Sequence, residues 1–406
     1  MKQKVINDPV HGFISISNPL IYAIIEHPYF QRLRRIKQLG LTDFVYPGAH
    51  HTRFHHAIGA YHLMQKAIYT LRLKGNEISK EEEMGALLAI LLHDIGHGPF
   101  SHTLEHSLSS SISHEFLSLL YMEKLNEEFK GALDLAIQIF TDQYHKKFLH
   151  QLVSGQLDVD RLDYLTRDSF FTGVSEGVIN YNRLIDMMDV VDNEMIVEAK
   201  GIYSVEKFLV SRRIMYWQVY LHKTVVCAEE MLIKIIKRAQ FLIRRGEKLA
   251  CSKALYYFLS QDVSSEDFSR DPLNLEMFSK LDDIDVLSAV KTWMDAEDKI
   301  LSFLCTRLIN RDLFKVKIQD SPIEEEKINE KKKELMQAMN LSEEEVGYLI
   351  FQNKLTSYLY KPGKAKIKIL NKKDQLIDFA DASDQWNAVA MQKAVSKYYY
   401  CYPKGV

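Results

Sequence analysis

The run Ala86-Leu87-Leu88-Ala89-Ile90-Leu91-Leu92 constrains this chain more than any other feature, because it leads without a break into His93-Asp94. An apolar stretch with no polar face suits a helix buried on every side, and this one is far too short to cross a bilayer. Ser79 opens the helix, and Glu81, Glu82 and Glu83 occupy its first turn, where the helix dipole favours acids. Gly96, Gly98 and Pro99 then stop it. A buried helix therefore carries an adjacent imidazole and carboxylate into the interior. Burying that carboxylate is costly unless a positive charge pairs with it, and a divalent cation does so directly.

By itself a His-Asp pair is more often structural than chemical. Its surroundings change the balance. Arg53-Phe54-His55-His56 stands at the predicted start of a helix over 57–74. Farther on, Asp158, Asp160 and Asp163 place three carboxylates within six residues at the start of another helix, a repulsive arrangement without compensating cations.

Helical periodicity dominates the region between 53 and 310. Helices are expected over 80–93, 113–130, 131–154, 156–171, 180–190, 204–246 and 283–310. Another spans 19–39, with a break where His27 meets Pro28. Residues 13–17 alternate like a strand. A hairpin is expected from strands at 195–199 and 202–203 around Lys200-Gly201. After about residue 315 the composition shifts to a charged block over 323–345, a helix opening at Leu341-Ser342, and a basic-apolar strand over 364–370. The expectation is a mainly α protein: a helical catalytic domain over 1–315 with short β-hairpins, and a smaller α+β lobe over 316–406.

Apolar residues make up 47% of the 406, enough for a large core, and the net charge of −2 argues against whole-chain attraction to nucleic acid or anionic membrane. Cys227, Cys251, Cys305 and Cys401 show no paired C-x-x-C spacing, so neither a zinc knuckle nor a disulfide framework is expected. Met1-Lys2-Gln3-Lys4 leads into polar Asn7-Asp8-Pro9 rather than an apolar stretch, so no signal peptide is expected. A cytoplasmic protein with no membrane segment is the expectation.

The order H…HD…D on three helices resembles the HD-domain metal phosphohydrolase superfamily. Asn7-Asp8-Pro9-Val10-His11-Gly12, Gln31-Arg32-Leu33-Arg34, Lys37-Gln38-Leu39-Gly40, the stretch 96–102 and the stretch 158–168 narrow the likeness. Together they resemble the deoxynucleoside triphosphate triphosphohydrolases, whose animal members add a SAM domain that is not expected here. The likeness is dense over 4–235 and thin beyond.

That resemblance implies hydrolysis of a dNTP to deoxynucleoside and intact triphosphate, with dGTP among the substrates. It implies a divalent ion (Fe, Mn, Mg, Zn or Ni) held by His55, His93, Asp94 and Asp160, with His56 in a supporting or surface role. A second Mg or Mn would accompany the substrate. Arg53, Arg161, Tyr164 and Arg212 are implied to grip phosphates, with Lys223 an additional cation. Arg161 replaces a Lys of animal relatives, so a planar fork stands in for a point charge. His102 is implied to protonate the leaving oxygen, tuned by Glu105 and His114, with His97 beside them. Asp168 and Gln38 would hold the sugar 3′-OH, Leu39 would line the substrate site, and Tyr220 would crowd out a 2′-OH. Asp160, Tyr164 and Asp168 recur at i, i+4 and i+8, which one helix face presents together.

Relatives of this kind form dimers or tetramers, and Lys4, Val5, Asn7, Glu26, Gln31 and Arg34 match positions of a regulatory nucleotide site. The alternatives are an HD enzyme acting on a cyclic nucleotide or guanosine tetraphosphate, and a single-strand nucleic-acid binder or nuclease. The basic residues of 364–370 and Lys372-Lys373 favour the last; the near-neutral charge opposes it.

Overall fold

The computed structural model describes residues 4–108, 112–357, 360, 366–383 and 394–405, and of His102 and His106 the backbone alone. The architecture is mainly α with short β elements, as the periodicity predicts. Strands β1 (Lys4–Asp8) and β2 (Gly12–Ile16) form an antiparallel hairpin at the N-terminus. The predicted break at His27-Pro28 separates the Pro19–Glu26 helix from a short Pro28–Gln31 turn of helix.

At the centre lies the Lys80–Leu92 helix. Ser79 Oγ accepts from Glu82 N–H at 3.1 Å, and the Glu82 carboxylate accepts from Ser79 N–H at 2.8 Å. This reciprocal cap contributes about 1 kcal/mol. Leu88, Ile90, Leu91 and Leu92 are wholly buried, each worth about 1.5–3 kcal/mol relative to exposure. The Arg53–Leu73 and Val159–Thr172 helices pack around the same centre.

Two glycines set how closely these helices approach. A Cβ at Gly59 would stand 2.0 Å from Asp163 Oδ1 and 2.2 Å from an Arg167 nitrogen, so the missing side chain lets that buried ion pair lie on the Arg53–Leu73 helix. A Cβ at Gly96 would meet the His114 carbonyl at 2.3 Å, so the turn after His93-Asp94 rests directly on the His114–Glu128 helix. The fully buried Arg32 holds this turn from the other side, donating to the Ile95 carbonyl at 2.8 Å and the Leu281 carbonyl at 3.1 Å.

Several long predicted helices are interrupted. The 131–154 stretch breaks into Asp134–Phe140 and Lys147–Val153, and 283–310 into Asp283–Thr292 and Lys299–Ile309. The 204–246 stretch divides into Ile202–Met215 and Lys223–Arg244, joined by a π-helical turn over Tyr216–Tyr220. Such turns insert a residue into the helical repeat and recur at functional sites. The hairpin also lies earlier than expected. Strands β3 (Met188–Val191) and β4 (Glu194–Glu198) turn at Asp192-Asn193, both at positive φ (50° and 67°). Asp and Asn tolerate that region, which a tight hairpin requires. Lys200-Gly201 instead closes a 3₁₀ turn that enters the Ile202–Met215 helix.

The C-terminal segment contributes β5 (Lys315–Gln319), β6 (Phe351–Ser357), β7 (Lys368–Leu370), β8 (Leu376–Asp378) and β9 (Val395–Tyr402). Of the predicted 364–370 strand, Lys364 and Ala365 lie outside the described residues. The charged block over 323–345 holds the Glu325–Met339 helix, and Ser342 caps the short helix after it. β7 pairs in parallel with β4, giving a sheet ordered β3-β4-β7-β8. β5, β9 and β6 form an antiparallel sheet beside the Lys223–Arg244 helix. All four cysteines are free thiols.

Candidate metal centre and nucleotide cavity

Three helices converge on the end of the buried Lys80–Leu92 segment. His56 Nε2 lies 3.2 Å from Asp160 Oδ1, 3.4 Å from His93 Nε2 and 3.7 Å from Asp94 Oδ2. His93 Nε2 lies 3.4 Å from Asp94 Oδ1 and 3.6 Å from Asp160 Oδ1. His56, His93 and Asp160 have the mutual spacing of a cation site.

This geometry corrects one expected ligand. His56, rather than His55, faces the centre. The His55 imidazole turns back on its own helix start, where Nδ1 accepts from Thr52 N–H at 3.2 Å and lies 3.0 Å from Thr52 Oγ1. Burial lowers its pKa, in keeping with a neutral acceptor. Successive helical residues point about 100° apart, so only one of the two can face inward. Residues three apart share a face, and Arg53 already contacts Asp94. His56 therefore shares the inward face with Arg53, a relation that can be read only once the Arg53–Asp94 contact is known.

The far nitrogen of each histidine is anchored. His56 Nδ1 donates to Asp163 Oδ2 at 2.8 Å, and His93 Nδ1 donates to the Ile90 carbonyl at 2.6 Å. Both Nε2 atoms are thereby aimed at one point, the arrangement that fixes tautomer and orientation in metal-ligating histidines. Asp163 is itself held by Arg167 at 2.9 Å and by His11 Nε2 at 2.7 Å, and Arg167 reaches Asp8 at 2.7 Å. Burial opposes the Asp163 charge, but Arg167 and the two histidines outweigh it and hold its pKa well below the usual range. For His56 burial disfavours the charge, yet hydrogen bonds to Asp160 and Asp163 hold its pKa up at about 10. Against burial, neighbouring histidines keep Asp160 low, and His93 and Arg53 do so for Asp94. Two imidazoles and two carboxylates with charge to neutralise fit a divalent ion.

A cavity of about 560 Å³ opens from this centre. Of the expected residues, Gln38, Leu39, Arg53, Asp94, His97, His114, Asp160, Tyr164, Asp168 and Tyr220 line it. The Arg53 guanidinium bonds Asp94 and donates to Ser101 Oγ at 2.8 Å. His97 Nε2 lies 3.3 Å from Asp94 Oδ1, and its ring stacks on His114 with centroids 3.9 Å apart. Burial, then the Arg53 charge, holds the His97 pKa well below its usual value. Glu105 Oε1 lies 2.9 Å from His114 Nδ1, so the two residues expected to tune His102 contact each other. The His102 side chain lies outside the described residues.

Tyr220 donates to Asp168 Oδ2 at 2.7 Å, and His51 Nε2 holds Asp168 Oδ1 at 2.7 Å. Tyr216 meets Tyr220 edge-on at 5.2 Å, both rings placed by the π-helical turn. Arg161 and Arg212 sit outside the cavity lining. Arg161 pairs with Asp158, and Arg212 is buried near the Phe208 ring. Lys223 is exposed at the start of its helix. The expected regulatory residues lie on the hairpin and the turns after it. There Lys4 covers the Tyr22 ring, Gln31 bonds Arg34 at 2.9 Å, Arg34 stacks on Phe54, and Val5 and Glu26 are exposed.

Sequence reasoning missed His11, His51, Asp8 and Arg167 as supports, although Asp8 and His11 stand inside a motif it had noted. It also missed Glu229, Glu230, Asn353, Leu355 and Tyr399 as cavity residues, and no local signal marks them. Among the described residues no helix is long and apolar enough to cross a membrane.

Comparison with known proteins identifies the family. The HD domain family profile matches residues 53–168, and the HD associated region matches 179–248. The chain is 36% identical to the uncharacterized protein YwfO of Bacillus subtilis over 331 residues, 80% of this chain and 74% of that one. It is 31% identical over 300 residues to human deoxynucleoside triphosphate triphosphohydrolase SAMHD1, 62% of this chain and 48% of that one. A solved phosphohydrolase from Bacteroides thetaiotaomicron superposes with a TM-score of 0.96 at 50% identity, covering 99% of this chain and all of that one. With its histidines and aspartates converging inside the matched region, the chain belongs to the HD-domain phosphohydrolase family.

Proposed function

We propose that this protein hydrolyses deoxynucleoside triphosphates to deoxynucleoside and intact triphosphate. The observation that carries the reading is the Asp168–Tyr220 pair lining the same cavity as Asp94 and Asp160. A phosphate site joined to a polar grip backed by an aromatic wall suits a deoxyribose with its phosphate tail. The likeness to SAMHD1 supports the same chemistry.

In this reading His56, His93, Asp94 and Asp160 hold a divalent ion, which when bound supplies Lewis acidity at the phosphoryl group. Arg53, fixed by Asp94 and Ser101, presents a preorganised cation to the phosphates. Tyr164 borders the same space, and Arg161 and Arg212 add positive field from behind the wall. His97, kept neutral by burial and Arg53, stacks on His114, which Glu105 holds in place, and the three border the residue expected to act as acid, His102. Asp168 accepts from the sugar 3′-OH with Gln38 alongside, and the Tyr220 ring takes the volume that a 2′-OH would need.

The reading also places the protein in the cytoplasm as a homodimer or homotetramer. An effector nucleotide would bind at Lys4, Val5, Asn7, Glu26, Gln31 and Arg34. Residues 316–406 would act as a lobe that completes the cavity of the catalytic part.

Product analysis tests the proposal: each dNTP and GTP incubated separately with Mn or Mg, with and without a second nucleotide. Deoxynucleoside plus triphosphate, from dNTPs only, is the expected result. Pyrophosphate or free phosphate would move the protein to another branch of the family.

A further inference from the structure

Besides the Asp168–Tyr220 pair, one face of the Lys223–Arg244 helix lines the cavity through Val226, Glu229, Glu230 and Ile233. Spacings of three and four residues keep these on one side, and the helical rise carries that wall about 10 Å. Leu39 and Gly40 line the same cavity, with Gly40 close to Glu229, while β6 and β9 bring Asn353, Leu355 and Tyr399. If phosphates lie at Arg53 and the sugar at Asp168, this helix face is where the base must go.

The two glutamates differ in their commitments. Glu230 Oε1 accepts from the Tyr399 hydroxyl at 2.7 Å and from Asn353 Nδ2 at 3.4 Å, so it braces the wall. Glu229 bonds Thr103, and no ion pair to it is found among the described residues. Burial raises its pKa to about 7, with only the Thr103 bond acting to lower it. Its Oε1 lies 3.5 Å from where a Cβ at Gly40 would stand, so the glycine keeps that carboxylate uncovered by a side chain. In the adjoining sugar part of the cavity Gln38 Oε1 is a buried acceptor with no hydrogen-bond partner, so the cavity offers more than one group built to receive donors.

We propose that Glu229 reads the substrate base and selects guanine, an inference that rests on the dNTP reading above. Guanine presents its N1–H and 2-amino group side by side, and one carboxylate accepts both. Adenine and cytosine set an acceptor beside their amino group, and thymine flanks its single N–H with two carbonyls, so each faces Glu229 with repulsion as well as attraction. Leu39, Val226 and Leu355 supply apolar faces for the ring. N–H donors also bring the positive partial charge that a half-buried carboxylate lacks.

The test is a competition between dGTP and dITP, which lacks only the 2-amino group, in one vessel so that any effector acts on both. The wild-type protein is expected to favour dGTP by about tenfold or more in kcat/KM, because losing a partner strands a polar group. In Glu229→Gln the ratio is expected to fall towards one. A wild-type ratio near one, or a ratio unchanged in the variant, overturns the proposal. Should the variant fail to fold, the wild-type ratio still decides. Hydrolysis of dITP and dTTP without preference for dGTP removes the base reading and leaves the triphosphohydrolase reading intact. No triphosphate from any dNTP removes both.

Discussion

His56 donates its Nδ1–H to Asp163 Oδ2 across 2.8 Å, and this bond sets the direction of the opposite nitrogen. With Nδ1 engaged, Nε2 faces His93, Asp94 and Asp160. His55, one residue earlier, has spent its imidazole on the cap of the same helix.

Alanine substitution should separate the two histidines. His56→Ala is expected to lose metal loading and turnover. His55→Ala should keep both and lose only about 1 kcal/mol of stability with the cap. Metal content after loading and dialysis, read beside a thermal melt, distinguishes them. Loss of metal from the His55 variant alone would restore His55 as the ligand.

Asp163→Asn should weaken metal binding by about 10- to 100-fold, the usual effect of removing a carboxylate behind a ligating histidine. It also leaves Arg167 buried with only Asp8 as a carboxylate partner, so stability should fall too, by up to about 3–5 kcal/mol. Titration against a competing chelator measures the first effect and denaturant unfolding the second.

Gly59→Ala tests the close approach of two helices. Its methyl would stand 2.0 Å from Asp163 Oδ1, so the helices must part or the ion pair must shift. A loss of about 1–3 kcal/mol from overpacking is expected, with weaker metal binding as well. Unaltered melting and metal affinity together would show that the site tolerates movement there.

Tyr220→Ala should admit ribonucleotides, raising the ratio of GTP to dGTP turnover by about 10- to 100-fold through removal of the steric wall. Tyr220→Phe keeps the ring but frees Asp168 Oδ2 from its donor, so it should retain exclusion of GTP while raising KM for dNTPs. Side-by-side kinetics of the two variants separate the wall from the hydrogen bond. No gain of GTP turnover in the alanine variant would end the role given to Tyr220.

Much of the centre was legible because its chemistry is local. The apolar run ending in His93-Asp94, the Ser79 cap and the carboxylate cluster at 158–163 are all short-range signals. Helix interruptions were less legible. Nothing in Tyr216-Trp217-Gln218-Val219-Tyr220 breaks a helix by glycine or proline, yet a π-helical turn forms there and carries two cavity tyrosines. Likewise Asp192-Asn193, rather than Lys200-Gly201, makes the hairpin turn, because strand pairing and helix packing compete for the same residues.

The sequence by itself determined which residue types would meet: histidines and aspartates on helices that must bury their apolar faces, with an arginine beside them. Only the tertiary structure decided which of two adjacent histidines turns inward, since that depends on how the Arg53–Leu73 helix is rotated against its neighbours. It also decided what closes the far end of the cavity. Glu230 meets Tyr399 and Asn353 from strands more than a hundred residues away, a contact fixed by sheet pairing and core packing rather than by any local pattern.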